Sequence, residues 1–139
     1  MSTPDPALVD TDVASVLYRA RLFRRMVPAG LVGVIADRPL VISVVTLGEA
    51  SFGALSRKWS PRRTTEMFAF YADSFGLIEL GRTVAVEYGR LRAATEALGR
   101  PVPSNDLWIA ASATANGLPL VTLNRRHFEP LTLHGLRLL

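Results

Sequence analysis

The chain alternates short apolar runs with longer stretches in which apolar residues recur at helical spacing. The short runs have the length of strands and are mostly uncharged, which is typical of strands buried on both faces of a sheet. They cover residues 7–9, 39–43, 77–80, 120–122 and 136–138. The longer stretches predict helices over residues 12–26, 46–58, 61–76, 84–98 and 105–116. This alternation predicts an α/β fold with three α/β/α layers around a central parallel sheet of four to five strands.

Residues with marked backbone preferences indicate where the predicted helices begin and end. Pro28 and Gly30 are expected to end the first helix, and Gly99 the fourth. The candidate N-caps all carry a side-chain oxygen that can accept a backbone hydrogen bond. They are Asp12, Ser60 (with Pro61 at the first helical position), and Ser104 or Asn105.

A length of 139 residues fits one domain, which we assign to residues 1–139. The sequence has no repeat, low-complexity segment or interdomain linker. Hydrophobic residues make up 49% of it, which is high for a small monomer with much surface. Two explanations are open: part of the apolar surface faces a partner, or the many alanines and leucines raise the count.

The absence of cysteine and the scarcity of histidine limit the chemistry. A chain without cysteine and with two histidines has no disulfide framework, no thiol nucleophile and no multi-histidine zinc site. A bound metal would need oxygen ligands, which favour Mg²⁺ or Mn²⁺.

A net charge of +4 comes almost entirely from arginine, because Lys58 is the single lysine. The planar guanidinium group suits phosphate, so RNA or DNA is the expected polyanion. A genome biased towards arginine would give the same composition.

The sequence predicts neither an export signal at the N-terminus nor a membrane-spanning segment. Residues 1–5 lack a basic region followed by an apolar core. The apolar stretch 26–36 is too short to cross a bilayer, and Asn116, Gly117 and Pro119 interrupt the uncharged stretch 107–124. We therefore expect a cytoplasmic protein.

Four polar residues lie where the predicted fold would bring them to one edge of the sheet. Ligands of open α/β sheets bind outside the carboxyl ends of the strands. Asp10 and Asn124 follow strands, whereas Glu49 and Asp106 lie near the starts of helices. Clustered carboxylates repel one another unless a cation neutralises them. A divalent metal there can activate water and stabilise phosphate charge, as phosphodiester hydrolysis requires.

Each acid also has an ordinary structural explanation. Asp10 can serve as a turn residue, Asp12 as an N-cap, and Asp106 as a partner of a helix dipole. For Asp12 the capping role is the preferred interpretation. Glu49 is harder to explain in this way, because it is the one charge between Pro39 and Ser56. Joint placement of the acids, rather than any one of them, points to a site.

Four segments in order resemble the motifs of PIN-domain ribonucleases, and in particular the VapC toxins of toxin–antitoxin pairs. The segments cover residues 8–13, 43–49, 105–111 and 120–128. The resemblance extends over nearly the whole chain and implies a PIN-like fold. It also implies a Mg²⁺- or Mn²⁺-dependent endoribonuclease that acts on structured RNA such as tRNA or rRNA, a small VapB-like antitoxin as partner, and a homodimer.

The same resemblance implies roles for individual residues. Asp10, Glu49 and Asp106 would be the catalytic metal ligands, with Thr11 and Thr122 in support. The supporting set also includes Asn124, where the family often has aspartate. A neutral amide at this position puts a second metal ion in doubt.

Arginine pairs near the predicted site are candidates for RNA binding. They are Arg125 with Arg126, and Arg62 with Arg63. Trp59 lies among basic residues and can stack on a base, although packing within the protein is the preferred interpretation. His127 has no assigned catalytic role, because a metal can supply the nucleophile.

Two other functions remain open at this stage. The segment 10–13 also resembles the first motif of haloacid-dehalogenase-like phosphatases, in which the first aspartate is the nucleophile. The lysine of that family has no good counterpart here, since Lys58 lies in a poor context. The other alternative is an inactive PIN module that binds RNA or an antitoxin, for which Asn124 is the main argument.

Overall fold

The computed structural model describes residues 4–139, with the backbone alone at Phe23. Residues 1–3, on which the prediction of no export signal partly rests, lie outside the described residues. Four strands and seven helices are formed within the described range. In chain order they are β1 (Ala7–Val9), α1 (Thr11–Phe23), α2 (Ala29–Ile35), β2 (Leu40–Ser43), α3 (Val44–Ser56), α4 (Pro61–Ser74), β3 (Gly76–Ile78), α5 (Arg82–Ala97), α6 (Ser104–Ala115), β4 (Leu120–Val121) and α7 (Arg125–Thr132).

The four strands form one parallel sheet in the order β3-β2-β1-β4. The prediction of a parallel sheet of four to five strands is therefore confirmed. The predicted last strand, residues 136–138, is reduced to a single bridge between Leu120 and Leu138. The chain extends the sheet from β1 towards β3 and then returns to add β4 on the other side of β1. Strand order reverses there, and such a switch point is where open α/β sheets bind ligands.

Helices cover both faces of the sheet and form a core on each, which confirms the three layers. Successive side chains of a strand point to opposite faces. Leu8 belongs to one core, with residues of α5, α6 and α7, whereas Ala7 and Val9 belong to the other, with residues of α1 to α4. All three residues of β1 are fully buried, so the residue that directly follows this strand is held in a fixed position.

Two predicted helix caps differ from the structure, and α3 and α5 each begin two residues earlier than predicted. Asp10, not Asp12, is the N-cap of α1, and its side chain accepts a hydrogen bond from the Val13 amide. The helix begins one residue earlier than expected because β1 runs directly into it. At α6 the N-cap position is Pro103, without a side-chain cap. The predicted cap at Ser60 is confirmed, since its hydroxyl accepts from the Arg63 amide.

Two short helices were not predicted. The expectation that Pro28 and Gly30 end the first helix was wrong, because α1 already ends at Phe23 with Arg24 as its C-cap in the left-handed conformation. Pro28 is instead the N-cap of α2, and Leu31 of that helix is buried against the core. Helix α7 contains Pro130 yet buries Phe128 and Leu131. Burial of one residue in α2 and of three in α7 outweighs a weak local helix propensity. No helix of residues 4–139 is long and apolar enough to cross a bilayer.

Candidate active site

Asp10 lies at the carboxyl end of β1 and is almost completely buried, with 4% of its surface exposed. One carboxylate oxygen, Oδ1, accepts a hydrogen bond from the Val13 amide at 2.9 Å. The other, Oδ2, accepts one from the Thr122 hydroxyl at 2.6 Å. The carboxylate is therefore held by α1 on one side and by the end of β4 on the other.

Burial raises the pKa of the Asp10 carboxyl to about 6. Removal from water disfavours the charged form, and this effect exceeds all others. The hydrogen bonds from Thr122 and Val13 act in the opposite direction, whereas the nearby charges of Asp12 and Asp106 add to the rise. A cation bound nearby would favour the charged carboxylate and lower this pKa again.

Thr122 joins Asp10 to the start of α7. Its hydroxyl is buried, donates its one hydrogen to Asp10, and accepts a hydrogen bond from the Asn124 amide at 2.9 Å. Asn124 occupies the N-cap position of α7, but its side chain makes no capping hydrogen bond. The backbone of Asn124 is thus fixed while its side-chain oxygen retains its acceptor capacity.

Glu49 reaches the same edge of the sheet through two threonines. The Thr11 hydroxyl donates to Glu49 Oε1 at 2.7 Å and lies 3.0 Å from the Thr46 hydroxyl. Since a hydroxyl has one hydrogen, Thr46 is the donor to Thr11 when Thr11 donates to Glu49. Thr46 is completely buried. The hydroxyls of Thr46 and Thr11 thus hold the Glu49 side chain, which extends from α3, beside Thr11.

Asp106 lies in the first turn of α6 and is half-buried. Desolvation raises the pKa of its carboxyl, and the His127 imidazole, whose Nδ1 lies 3.2 Å from Oδ2, partly lowers it again. The charge of Asp12 raises it further. Asp10, Asp12 and Asp106 thus form one electrostatically coupled group.

Within residues 4–139 the three predicted ligands do not form a compact cluster, and no group of three or more His, Asp or Glu side chains is arranged to hold a metal. Asp10 and Asp106 interact through their charges, and Glu49 accepts a hydrogen bond from Thr11, the residue that follows Asp10 in the chain. This donor set still fits Mg²⁺ or Mn²⁺. Such ions are commonly held by one or two carboxylates and retain several waters.

Asp12, Thr46 and His127 also contribute to this site, although sequence analysis gave none of them a role there. Asp12 was interpreted as a helix cap, but it is exposed in the first turn of α1 and acts on both Asp10 and Asp106. Thr46 carried no signal, because a threonine at a helix start is common. His127 follows Asn124 by three residues, one helical turn, which was the available clue.

The predicted RNA-binding arginines have different environments. Arg62 is 90% exposed and forms an ion pair with Glu66, whereas Arg63 lies over the Trp59 ring with its guanidinium carbon 3.8 Å from the ring centroid. Arg125 donates a hydrogen bond to the Leu139 carbonyl, and Arg126 is exposed. Trp59 is half-buried and packs against the core, which agrees with the preferred interpretation from sequence that it packs within the protein.

Sequence comparison finds relatives with a described activity. The PIN domain family model matches residues 7–130. The chain is 33% identical over 90 residues to the tRNA(fMet)-specific endonuclease VapC of Shigella flexneri, a match that covers 65% of this chain and 67% of that protein. It is 22% identical over 125 residues to ribonuclease VapC1 of Haemophilus influenzae (strain R2866), covering 90% and 91%.

Structure comparison finds the same fold in a solved complex. The crystal structure of VapBC2 from Rickettsia felis bound to a DNA fragment from their promoter contains a chain that matches this one with a TM-score of 0.77. The match covers 96% of this chain and 97% of that one at 21% identity. At that identity the likeness concerns the fold.

Proposed function

The chain belongs to the PIN domain family, and from this premise we propose that it is a VapC-like endoribonuclease that depends on a divalent metal. The observation that carries the proposal is the buried Asp10 carboxyl at the point where strand order reverses, with its pKa raised to about 6. Because the Shigella relative is a tRNA(fMet)-specific endonuclease, structured RNA such as tRNA or rRNA is the proposed substrate.

Asp10, Glu49 and Asp106 would hold the metal, which is Mg²⁺ or Mn²⁺. When bound, such an ion lowers the pKa of a coordinated water and stabilises negative charge on a phosphate. The protein's own contribution is orientation. Thr122 holds the Asp10 carboxylate and Thr11 the Glu49 carboxylate.

His127 occupies one oxygen of Asp106 and leaves the other oxygen available. Hydrogen bonds of this kind fix ligand geometry and strengthen metal binding. Arg126 is exposed at the start of α7, close in sequence to Asn124, and we propose that it contacts the RNA backbone there. Arg125 and the pair Arg62 and Arg63 are further proposed contacts with RNA.

A small VapB-like antitoxin is the proposed regulatory partner, and a homodimer the proposed assembly. The matching chain of the Rickettsia structure belongs to a VapBC complex, which supports the first. Exposed apolar side chains are abundant for a chain of this size, among them Phe52, Leu55, Met26 and Leu133. Such residues suit partner surfaces and would account for the high hydrophobic content.

Cleavage of total RNA tests the proposed activity directly. Protein freed of any copurified partner is incubated with Mg²⁺, with Mn²⁺ or with a chelator, and Asp106→Asn is run beside the unchanged protein. We expect discrete fragments with either metal, none with the chelator, and none from the variant. The ends of the fragments would identify the target RNA.

Three outcomes would count against the proposal in different ways. Folded protein that binds RNA without cutting it in any metal would favour the inactive binding module. A phosphoenzyme trapped at Asp10 would favour the phosphatase, although the PIN family match over residues 7–130 supports the nuclease. Equal cleavage by Asp106→Asn would trace the activity to a contaminant.

Asn124→Asp is expected to tighten Mg²⁺ binding severalfold. The change adds a negative charge near Thr122 and Asp10. The backbone of residue 124 is already fixed there, because its N–H donates a hydrogen bond to the Thr122 hydroxyl. A carboxylate is a stronger ligand for Mg²⁺ than a neutral amide. Titration calorimetry with Mg²⁺ measures the change. Unchanged affinity would place Asn124 outside the metal's surroundings.

A further inference from the structure

A small pocket rich in arginine lies between α1, α3 and α4. Its volume is about 320 Å³, and its lining consists of Ser15, Tyr18, Arg19, Arg57, Trp59 and Arg63. We call it the arginine pocket. Three arginines and no acidic residue line it, so it suits an anion.

Two residues that line this pocket each carry a buried polar atom without a hydrogen-bond partner. Within residues 4–139, three buried side-chain polar atoms lack a hydrogen-bond partner, and two of them, Tyr18 Oη and Arg63 Nε, belong to residues that line the arginine pocket. Tyr18 is 95% buried as a residue, with 5% of its surface exposed. A buried donor without an acceptor is unfavourable. Both groups are donors, and a phosphate oxygen would satisfy them.

Two arginines of the pocket, Arg57 and Arg63, lie against neighbouring residues. The Arg63 guanidinium lies over the Trp59 ring at 3.8 Å, which also covers that face of the indole. Arg57 lies against Gly53 so closely that a Cβ there would be 2.7 Å from Arg57 Nη1. A guanidinium held in place loses less freedom when it binds an anion.

The arginine pocket continues into the candidate active site. An adjoining cleft of about 290 Å³ shares Ser15, Tyr18, Arg57 and Trp59 with it. The far end of this cleft is lined by Thr11, Asp12 and Glu49. An extended polyanion that lies across the carboxylates can therefore follow the cleft into the arginine pocket.

We propose that the arginine pocket binds a backbone phosphate of the RNA substrate, on the flank of the phosphate that is cut. Tyr18 and Arg63 donate to its oxygens, and Arg57 provides a second guanidinium. This proposal rests on the proposed ribonuclease function. Because Arg63 covers one face of Trp59, the indole serves to orient the guanidinium.

RNA binding in a chelator, where cleavage is expected to be absent, tests the pocket separately from catalysis. The probe is a single-stranded RNA oligonucleotide, and affinity is measured by fluorescence anisotropy over a range of salt concentrations. Affinity for RNA falls as salt rises, and each lost phosphate contact makes the plot of log affinity against log salt concentration less steep, by about 0.7 for single strands. We expect this loss for Arg63→Ala, and uniformly weaker binding across RNA sequences.

Two further variants separate binding from folding. Tyr18→Phe removes only the unpartnered hydroxyl, and Gly53→Ala displaces Arg57 without removing a charge. Neither is expected to lower the melting temperature, since alanine favours the helix and phenylalanine leaves no unpaired donor. Both are expected to weaken RNA binding. Arg137→Ala is the control, because Arg137 bonds to the Gly117 carbonyl, before β4 and so at the opposite edge of the sheet.

The results of these measurements distinguish phosphate binding by the arginine pocket from its alternatives. Salt slopes for Arg63→Ala and Gly53→Ala that match the slope for Arg137→Ala would overturn the proposal. Unchanged RNA binding together with lost affinity for an acidic peptide such as polyglutamate would assign the pocket to a protein carboxylate and overturn it as well. Reduced slopes in a protein that cleaves no RNA would uphold the pocket and remove the proposed nuclease activity.

Discussion

Asp10→Asn is expected to reduce metal-dependent RNA cleavage at least a hundredfold, and at the same time to stabilise the metal-free protein at neutral pH. Asparagine has no negative charge to attract the metal, which accounts for the loss of activity. It caps a helix as well as aspartate does, so α1 keeps its start. The gain in stability follows from removing a buried charge.

The direction and the pH range of this gain follow from the raised pKa. In the unfolded chain Asp10 ionises near its ordinary pKa of 3.8, and in the folded protein near 6. Between these values the folded state binds more protons, so stability falls as the pH rises from about 4 to about 6. Since one pKa unit corresponds to about 1.4 kcal/mol, the loss above pH 6 is up to about 3 kcal/mol.

Denaturant unfolding in a chelator at pH 4, 5, 6 and 7.5 measures this effect. Asp10→Asn should show a shallower decline in unfolding free energy from pH 4 to 6 than the unchanged protein, and higher stability at pH 7.5. Asp73→Asn, at an exposed position of α4, is the control and should keep the full decline. An Asp10→Asn variant less stable than the unchanged protein at pH 7.5 would refute the argument.

Thr122→Val is expected to lower metal affinity or RNA cleavage by about ten- to a hundredfold, the usual effect of removing a group that orients a ligand. Valine has nearly the same shape as threonine but cannot donate to Asp10 or accept from the Asn124 amide. The pKa of the Asp10 carboxyl should rise further, because a hydrogen bond that lowers it is lost. Leaving these groups unpaired should also destabilise the fold by about 1–3 kcal/mol.

Thr122→Ser separates the hydroxyl from the rest of the side chain. Serine keeps the donor and the acceptor and removes only a methyl group. It should retain most of the Mg²⁺ affinity measured by titration calorimetry, whereas valine should not. If the two variants bound Mg²⁺ equally well, the hydrogen bond from Thr122 to Asp10 would have no part in metal binding.

The layers of the fold were predictable because apolar periodicity depends mainly on which faces are buried. The four strands, the parallel sheet and five of the seven helices follow from that periodicity. The cap at Asp10 was missed because capping depends on where β1 ends, and the cap lies two residues before the predicted Asp12. Helices α2 and α7 were missed because single buried residues such as Leu31 and Phe128 stabilise them.

The acids of the site, with Thr11 and Thr122 in support, were named from the motif resemblance, but the hydrogen bonds that join these residues were not predictable. The position of Asp10 after a buried strand is visible in the sequence. Its bond to Thr122 spans 112 residues and depends on β4 pairing beside β1, which no local pattern encodes. The contact of His127 with Asp106 likewise requires α6 and α7 to pack together.

The pairing of β4 with β1 also determines at what stage of protein synthesis the site can form. A ribosome makes Asp10 112 residues before Thr122, and until β4 is made, β1 has only β2 as a neighbour in the sheet. During that interval the carboxylate lacks the donor that orients it, and Asp106 lacks its histidine. The hydrogen bonds of the site can therefore be completed only after residue 127 has been added, near the end of synthesis.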